Sequence, residues 1–303
     1  MKHLLVATDL SPIADAALDR AIAFARRDRA RITLVYAIPD YSGTPMMATL
    51  ESAAIAEWNN VSQAERAADE EALRSRVAKA TAAGIEADHV LELGHVDDVV
   101  AETAAKLGVD LVVIGTHGRT GISRFLLGSQ AEQIVRRSPV SVLVARGHQS
   151  GAADFQRALV ATDFSPAGDK ALRQAISMTA PGGLIEVAHV WQYPPGTWGL
   201  EALADRTAAL ETLRSAVTAG ALERGQKLID QHAMAGRTIR FNLLHGPTAS
   251  VLTARAETER FDLIALGTHG YRGFRRFLLG SVAEATLRHA PCSVLVAHAE
   301  HAK

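Results

Sequence analysis

The sequence predicts an α/β protein made of two tandem, open, parallel five-stranded sheets, each with helices on both faces. Three observations carry that expectation. Short apolar runs rich in β-branched residues alternate with longer helical stretches in both halves of the 303-residue chain. A glycine signature occurs twice, Gly115-Thr116-His117-Gly118 with Gly128-Ser129, and Gly267-Thr268-His269-Gly270 with Gly280-Ser281, with nine residues separating the second and third of these glycines in each copy. Upstream, LLVATDLSP with Asp9 and Ser11 recurs as ALVATDFSP with Asp163 and Ser165. The stretches that start at Gly115 and Gly267 agree at roughly two-thirds of their positions without a gap, so one unit of roughly 145 residues is written twice.

In the first half the apolar runs His3 to Ala7, Ile32 to Ala37, Ala87 to Leu93, Leu111 to Gly115 and Ser141 to Ala145 have the length and composition of buried strands. Helical patterns lie between them. One is opened by Ser11-Pro12, a long one runs from about Leu50 to Ala83, one follows Gly94, and one is opened by Gly128-Ser129. Serine before proline supplies a capping oxygen and a residue whose φ is preset for the first helical turn, and Ser165-Pro166 repeats the device. The second half repeats the strands near Ala158 to Ala161, Leu184 to Val190, Thr238 to Leu244, Leu263 to Gly267 and Ser293 to Ala297. Two βαβαβαβαβ units result, residues 1–146 and 155–303, joined by a polar linker at 147–154. Pro39 to Pro45 and Tyr193 to Gly199 read as loops beside a site.

Composition excludes several classes of function. With 48% apolar residues and a net charge of -1, the chain can build two ordinary cores and offers no global basic field for nucleic acid or an anionic membrane. Its single cysteine, Cys292, falls in an apolar strand pattern and reads as a small buried side chain, which leaves neither a disulfide framework nor a cysteine metal site. No leader precedes the first strand and no apolar run approaches the roughly 20 residues of a membrane span, so a soluble cytoplasmic protein is expected.

In an open parallel sheet, ligands bind beyond the carboxyl ends of strands where chain order reverses. Asp9 and Gly115 end predicted strands and would flank one crevice if the first and fourth strands are neighbours; Asp163 and Gly267 would flank its twin. There the glycines would let backbone approach a ligand or adopt φ > 0, and Gly128-Ser129 would open a helix whose free N–H groups favour an anion. Arg119 and Arg124 in one loop, and Arg272, Arg275 and Arg276 in the other, could compensate polyphosphate charge. Asp9 and Asp163 could accept from a ribose hydroxyl or a base amino group, or could cap the turn before the Ser-Pro helix.

The pattern G-x2-G-x9-G-[ST], preceded by A-T-D and followed by S-P-x-S-V-L-V, resembles the nucleotide-binding branch of the universal stress protein family, over nearly the whole chain and as two tandem domains. The resemblance implies a Rossmann-like, adenine nucleotide alpha hydrolase-like sheet in the order 3-2-1-4-5, a bound ATP, and dimerisation through the last strand. It implies that triphosphate meets Gly118, Gly128, Ser129 and Gln130, with Gly270, Gly280, Ser281 and Val282 matching. Base and ribose would meet Ala7, Thr8, Asp9, Ala37, Ile114 and Gly115, and correspondingly Ala161, Thr162, Asp163, Val190, Leu266 and Gly267. His117, Arg119 and His269 belong to the same nucleotide loops. The resident ligand is expected to be ATP, ADP or AMP, with Mg²⁺ carried by the nucleotide. The exposed fifth strands, SVLVAR and SVLVAH, are expected to pair within the chain as a pseudo-dimer, with a homodimer and an unidentified signalling partner as further assemblies.

Hydrolysis would need metal-holding carboxylates near the γ-phosphate, and the motif loops contain no Asp or Glu; Glu132 and Glu284 lie one turn inside the following helices. No G-x-x-x-x-G-K-[ST] or G-x-S-x-G sequence occurs. The histidines lack tight ligand spacing, and Trp58, Trp191 and Trp198 read as core or lid packing. The leading expectation is a stress-response protein that binds ATP in both domains without efficient turnover. A slow ATPase or nucleotide phosphohydrolase, and an interaction scaffold independent of nucleotide, are the alternatives.

Overall fold

The computed structural model describes residues 1–39, 52–116, 128–146, 154–192, 207–232, 236–268 and 279–298. The chain divides into two compact units, Met1–Ala153 and Asp154–Lys303.

The first unit begins with β1 (His3–Ala7), whose Leu4, Leu5 and Val6 have no exposed surface. A strand apolar on both faces must be covered on both, the usual condition of a central parallel strand. Next come α1 (Pro12–Asp28), β2 (Arg31–Ile38), the long α2 (Ser52–Ala82), β3 (Ala87–Leu93), α3 (Val96–Leu107), β4 (Leu111–Gly115), α4 (Ser129–Arg137) and β5 (Val142–Ala145). All pairings are parallel and give the order β3-β2-β1-β4-β5. The chain moves outward through β2 and β3, then returns to the other side of β1, so the order reverses between β1 and β4. Ala7 is in register with both Val35 and Ile114, which brings the carboxyl ends of β1, β2 and β4 to one level.

The second unit repeats the plan with β6 (Phe155–Ala161), α5 (Pro166–Met178), β7 (Thr179–Trp191), α6 (Thr207–His232), β8 (Thr238–His245), α7 (Thr248–Thr258), β9 (Leu263–Gly267), α8 (Ser281–His289) and β10 (Ser293–Ala297). Its strand order is β8-β7-β6-β9-β10. Strand β7 is longer than the expected Leu184 to Val190. It starts as α5 ends and crosses Pro181-Gly182-Gly183 through a register shift against β6, with Gly182 at φ 80°. Cys292 is buried as expected but stands one residue before β10.

The copies differ at several buried polar positions, His3 and Thr33 of the first unit among them. In the first unit His3 Nε2 lies 2.8 Å from Thr33 Oγ1, which also donates to Asp88 Oδ1. Burial, and secondarily the neighbouring Arg31 charge, hold the His3 imidazole below its ordinary pKa, against opposing pulls from Asp88, the Leu107 backbone and Asp110. A histidine kept neutral in the fold withholds a proton that the unfolded chain takes up. Stability from His3 is therefore complete above the unfolded value of about 6.5 and declines as pH falls below it. Calorimetric unfolding at pH 7.5 and 5.5 should show a loss on acidification that His3→Gln reduces.

Candidate functional site

Each unit turns sharply at the carboxyl end of its first strand. Leu10 and Phe164 hold φ of 63° and 62°, the left-handed region that a bulky side chain rarely occupies. Local side chains stabilise both turns. The Leu10 and Phe164 N–H groups donate to Thr8 Oγ1 and Thr162 Oγ1 at 3.0 and 2.9 Å. Asp9 Oδ1 accepts from the Ser11 N–H at 3.1 Å and the Ser11 hydroxyl at 2.6 Å, while Asp163 Oδ1 accepts from the Ser165 N–H at 3.1 Å. Ser11 Oγ and Ser165 Oγ then accept from Ala14 N and Gly168 N, closing the first turns of α1 and α5. The capping role weighed for Asp9 and Asp163 is thus present through one carboxylate oxygen, and the half-buried carboxylates stand at the sheet rim.

The other wall of each rim is the end of β4 or β9. Ile114 and Leu266 are buried, Gly115 and Gly267 are half-buried, and Thr116 and Thr268 follow them. The Gly128 N–H donates to Thr116 O at 3.0 Å and the Gly280 N–H to Thr268 O at 2.9 Å, so the starts of α4 and α8 are fastened to these strand ends. Gly128 and Gly280 cap the helices at nearly the same geometry, φ -63° with ψ 143° and 147°, and neither helix has a side-chain cap. First-turn N–H groups have no intrahelical acceptor, and the macrodipole is positive there. Ser129, Gln130 and Ser281 are exposed at these turns and Val282 is half-buried. Ala37 and Val190 lie on β2 and β7 two residues beyond Val35 and Ala188, the partners of Ala7 and Ala161.

Each unit thus gathers at its switch point a strand-end carboxylate, a strained turn and an uncapped helix start. His117, Gly118, Arg119, His269 and Gly270, with Arg124, Arg272, Arg275 and Arg276, lie outside the described residues. So do the loop at Tyr193 to Gly199 and most of the linker.

One of the motif glycines also serves packing. Gly267 does not have positive φ; a Cβ there would sit 2.7 Å from Ala167 Cβ and 3.1 Å from its carbonyl carbon. Bare backbone at this point lets β9 pack against the start of α5. Gly267→Ala should cost about 1–3 kcal/mol through overpacking, measurable by denaturant unfolding.

Sequence reasoning missed Glu186 and Arg76. Glu186 on β7 is fully buried; Arg255 Nε and Nη2 donate to its two oxygens at 2.7 and 3.0 Å, and Arg240 Nε donates at 2.8 Å. An acidic residue inside LIEVAHV was the available signal. Arg76 reaches from α2 to the Leu10 carbonyl across 66 residues, a contact with no local sequence signature.

This is the plan of a tandem open α/β protein in which the chain order of each sheet reverses beside its first strand. The universal stress protein family model matches residues 1–146 and 154–298, and the chain belongs to that family. A putative universal stress protein of Staphylococcus haemolyticus is 33% identical over 165 residues, which cover 54% of this chain and 94% of the relative. The solved universal stress protein of Archaeoglobus fulgidus superposes over 98% of both chains with a TM-score of 0.64 at 23% identity. A putative universal stress protein of Pseudomonas aeruginosa covers 98% of this chain and 93% of its own, with a TM-score of 0.58 at 16% identity. These two structures share the fold. Among the described residues no helix is long and apolar enough to cross a membrane, and no group of acidic, histidine or cysteine side chains could hold a metal ion.

Proposed function

We propose that each unit binds one adenine nucleotide, ATP first among ATP, ADP and AMP, and that the protein is a nucleotide-dependent stress regulator rather than a catalyst. The observation that carries the reading is the repeated rim: in both units an uncapped helix start is bonded to the strand end beside a strand-end aspartate. That donor set fits the ligand. Phosphate oxygens need N–H donors and positive potential, which the Ser129-Gln130 and Ser281-Val282 turns offer. Ribose hydroxyls need an acceptor, which Asp9 and Asp163 supply, and the half-buried Ala37, Ala161 and Val190, beside the buried Ala7, Ile114 and Leu266, offer apolar surface to a base.

Glu132 and Glu284 would be the nearest candidates to assist hydrolysis within the described motif helices. They are engaged in ion pairs along their own helices, to Arg136 at 2.8 Å and Arg288 at 2.9 Å. That favours holding the nucleotide over turning it over. Heat extraction of purified protein followed by chromatography should release an adenine nucleotide, chiefly ATP. Single-turnover incubation with Mg²⁺ should leave bound ATP intact over the lifetime of the complex. Rapid ADP formation that survives further purification would favour the phosphohydrolase reading; absence of both resident nucleotide and binding at millimolar ATP would overturn the proposal.

A further inference from the structure

The turn that carries Asp9 is held from outside by one side chain. Arg76, on α2, donates through Nη2 to the Leu10 carbonyl at 2.8 Å. Its guanidinium is fixed by Asp15 on α1, with Nε to Oδ1 at 2.6 Å and Nη2 to Oδ2 at 3.3 Å, and Nη1 donates to Ala72 O at 3.1 Å. The Arg76 side chain keeps only 16% of its surface exposed, so this is a seated contact rather than a solvated surface pair.

The Leu10 carbonyl belongs to the same peptide plane as the Ser11 N–H. That plane is gripped at both ends, its oxygen by Arg76 and its hydrogen by Asp9 Oδ1. Leu10 is also in a costly backbone region at φ 63°, and such a residue persists only where its surroundings over-determine it. If the plane rotated toward a relaxed conformation, both bonds would break together and the Asp9 carboxylate would lose its backbone anchor, keeping the bond from the Ser11 hydroxyl. A charged donor on the carbonyl also polarises the peptide, which strengthens the N–H bond to the carboxylate.

The second unit holds its turn differently. Arg224 of α6 lies with Cζ 5.9 Å from the centre of the Phe164 ring, which also packs on His189 at 4.8 Å and Phe241 at 6.3 Å between ring centres. There the grip falls on the side chain at the strained position, whereas in the first unit it falls on the peptide itself.

We infer that Arg76 is a positioning residue of the first nucleotide site: it sets the Leu10–Ser11 peptide plane and through it aims Asp9 at the ribose hydroxyls, which couples the long helix α2 to ligand recognition. The inference rests on the reading of this rim as a nucleotide site.

The test is calorimetric titration of the full chain with ATP and with 2′,3′-dideoxy-ATP, the second unit serving as internal reference. The parent should prefer ATP at both sites by about tenfold or more, the scale of one charge-assisted hydrogen bond. Arg76→Ala should remove most of that preference at one of the two sites and leave the other unchanged. Asp9→Asn should do the same, and the double variant should lose no more than Asp9→Asn alone, because the two residues act as one unit. Asp15→Asn, which loosens the guanidinium without touching the turn, should give an intermediate loss and carries the test if Arg76→Ala does not fold. Preference kept at both sites in Arg76→Ala, or in Asp15→Asn where that variant carries the test, but lost in Asp9→Asn would overturn the role of Arg76 and leave the site reading intact. A parent that binds ATP and the analogue equally would overturn the ribose role of Asp9 and with it that of Arg76, and a parent that binds neither would overturn the site reading as well.

Discussion

Glu186→Ala should lower the stability of the second unit by about 3 kcal/mol. The carboxylate has no exposed surface, and both of its oxygens are taken by Arg255 and Arg240. Removing it strands positive charge against the sheet, for which about 3–5 kcal/mol is usual in a buried pair. The lower end applies because Arg255 and Arg240 keep 25% and 46% of their side-chain surface in contact with solvent and can partly rehydrate. Burial alone would push the Glu186 pKa up; hydrogen bonds from Arg255 and Arg240 outweigh it and hold the carboxyl below its ordinary value. A depressed folded pKa contributes stability that is present above the unfolded value near about 4.3 and is lost as pH falls through the folded one. Denaturant unfolding of parent and variant should therefore differ most near neutrality and converge in acid. The first unit has the uncharged Thr33 at the register that Glu186 holds in the second.

Asp9→Ala combined with Asp163→Ala should weaken ATP binding at each site by about 10–100-fold, the loss expected when a charged acceptor of a hydroxyl is removed. The same turns predict a smaller structural effect. Each carboxylate also holds the Ser11 or Ser165 N–H ahead of a capped helix, so about 1 kcal/mol of stability should be lost per site. Asn at these positions keeps an acceptor for the turn while losing the charge, so Asp→Asn should separate the two effects. Titration calorimetry gives the affinity change and thermal unfolding the stability change.

The fold was legible in the sequence because its signals are local. Buried parallel strands are continuous apolar runs, and His3–Ala7, Leu111–Gly115, Leu263–Gly267 and Ser293–Ala297 end where those runs end, whereas Ala87–Leu93 has the expected bounds but, as an edge strand, is half-buried to exposed rather than buried. Strand β7 was read too short because Pro181-Gly182-Gly183 looks like a breaker, yet pairing with β6 resumes after the register shift. At the candidate site, the aspartates, the Ser-Pro caps and the glycine-opened helices were visible as short motifs. Long-range partners were not. Nothing near Arg76 marks it as a ligand of the Leu10 carbonyl, and the Glu186 set joins β7, β8 and α7. Gly267 was legible as a position without a side chain, but the atom that requires this, Ala167 Cβ, is known only once α5 is packed on β9.

Two nucleotide sites, one per unit, are the central claim, and the stoichiometry of binding tests it most directly. Calorimetric titration of ligand-free protein with ATP should reach two equivalents per chain and fall to one when Gly270→Val alters the second motif. No binding at millimolar ATP, or a single equivalent that Gly270→Val leaves in place, would contradict it.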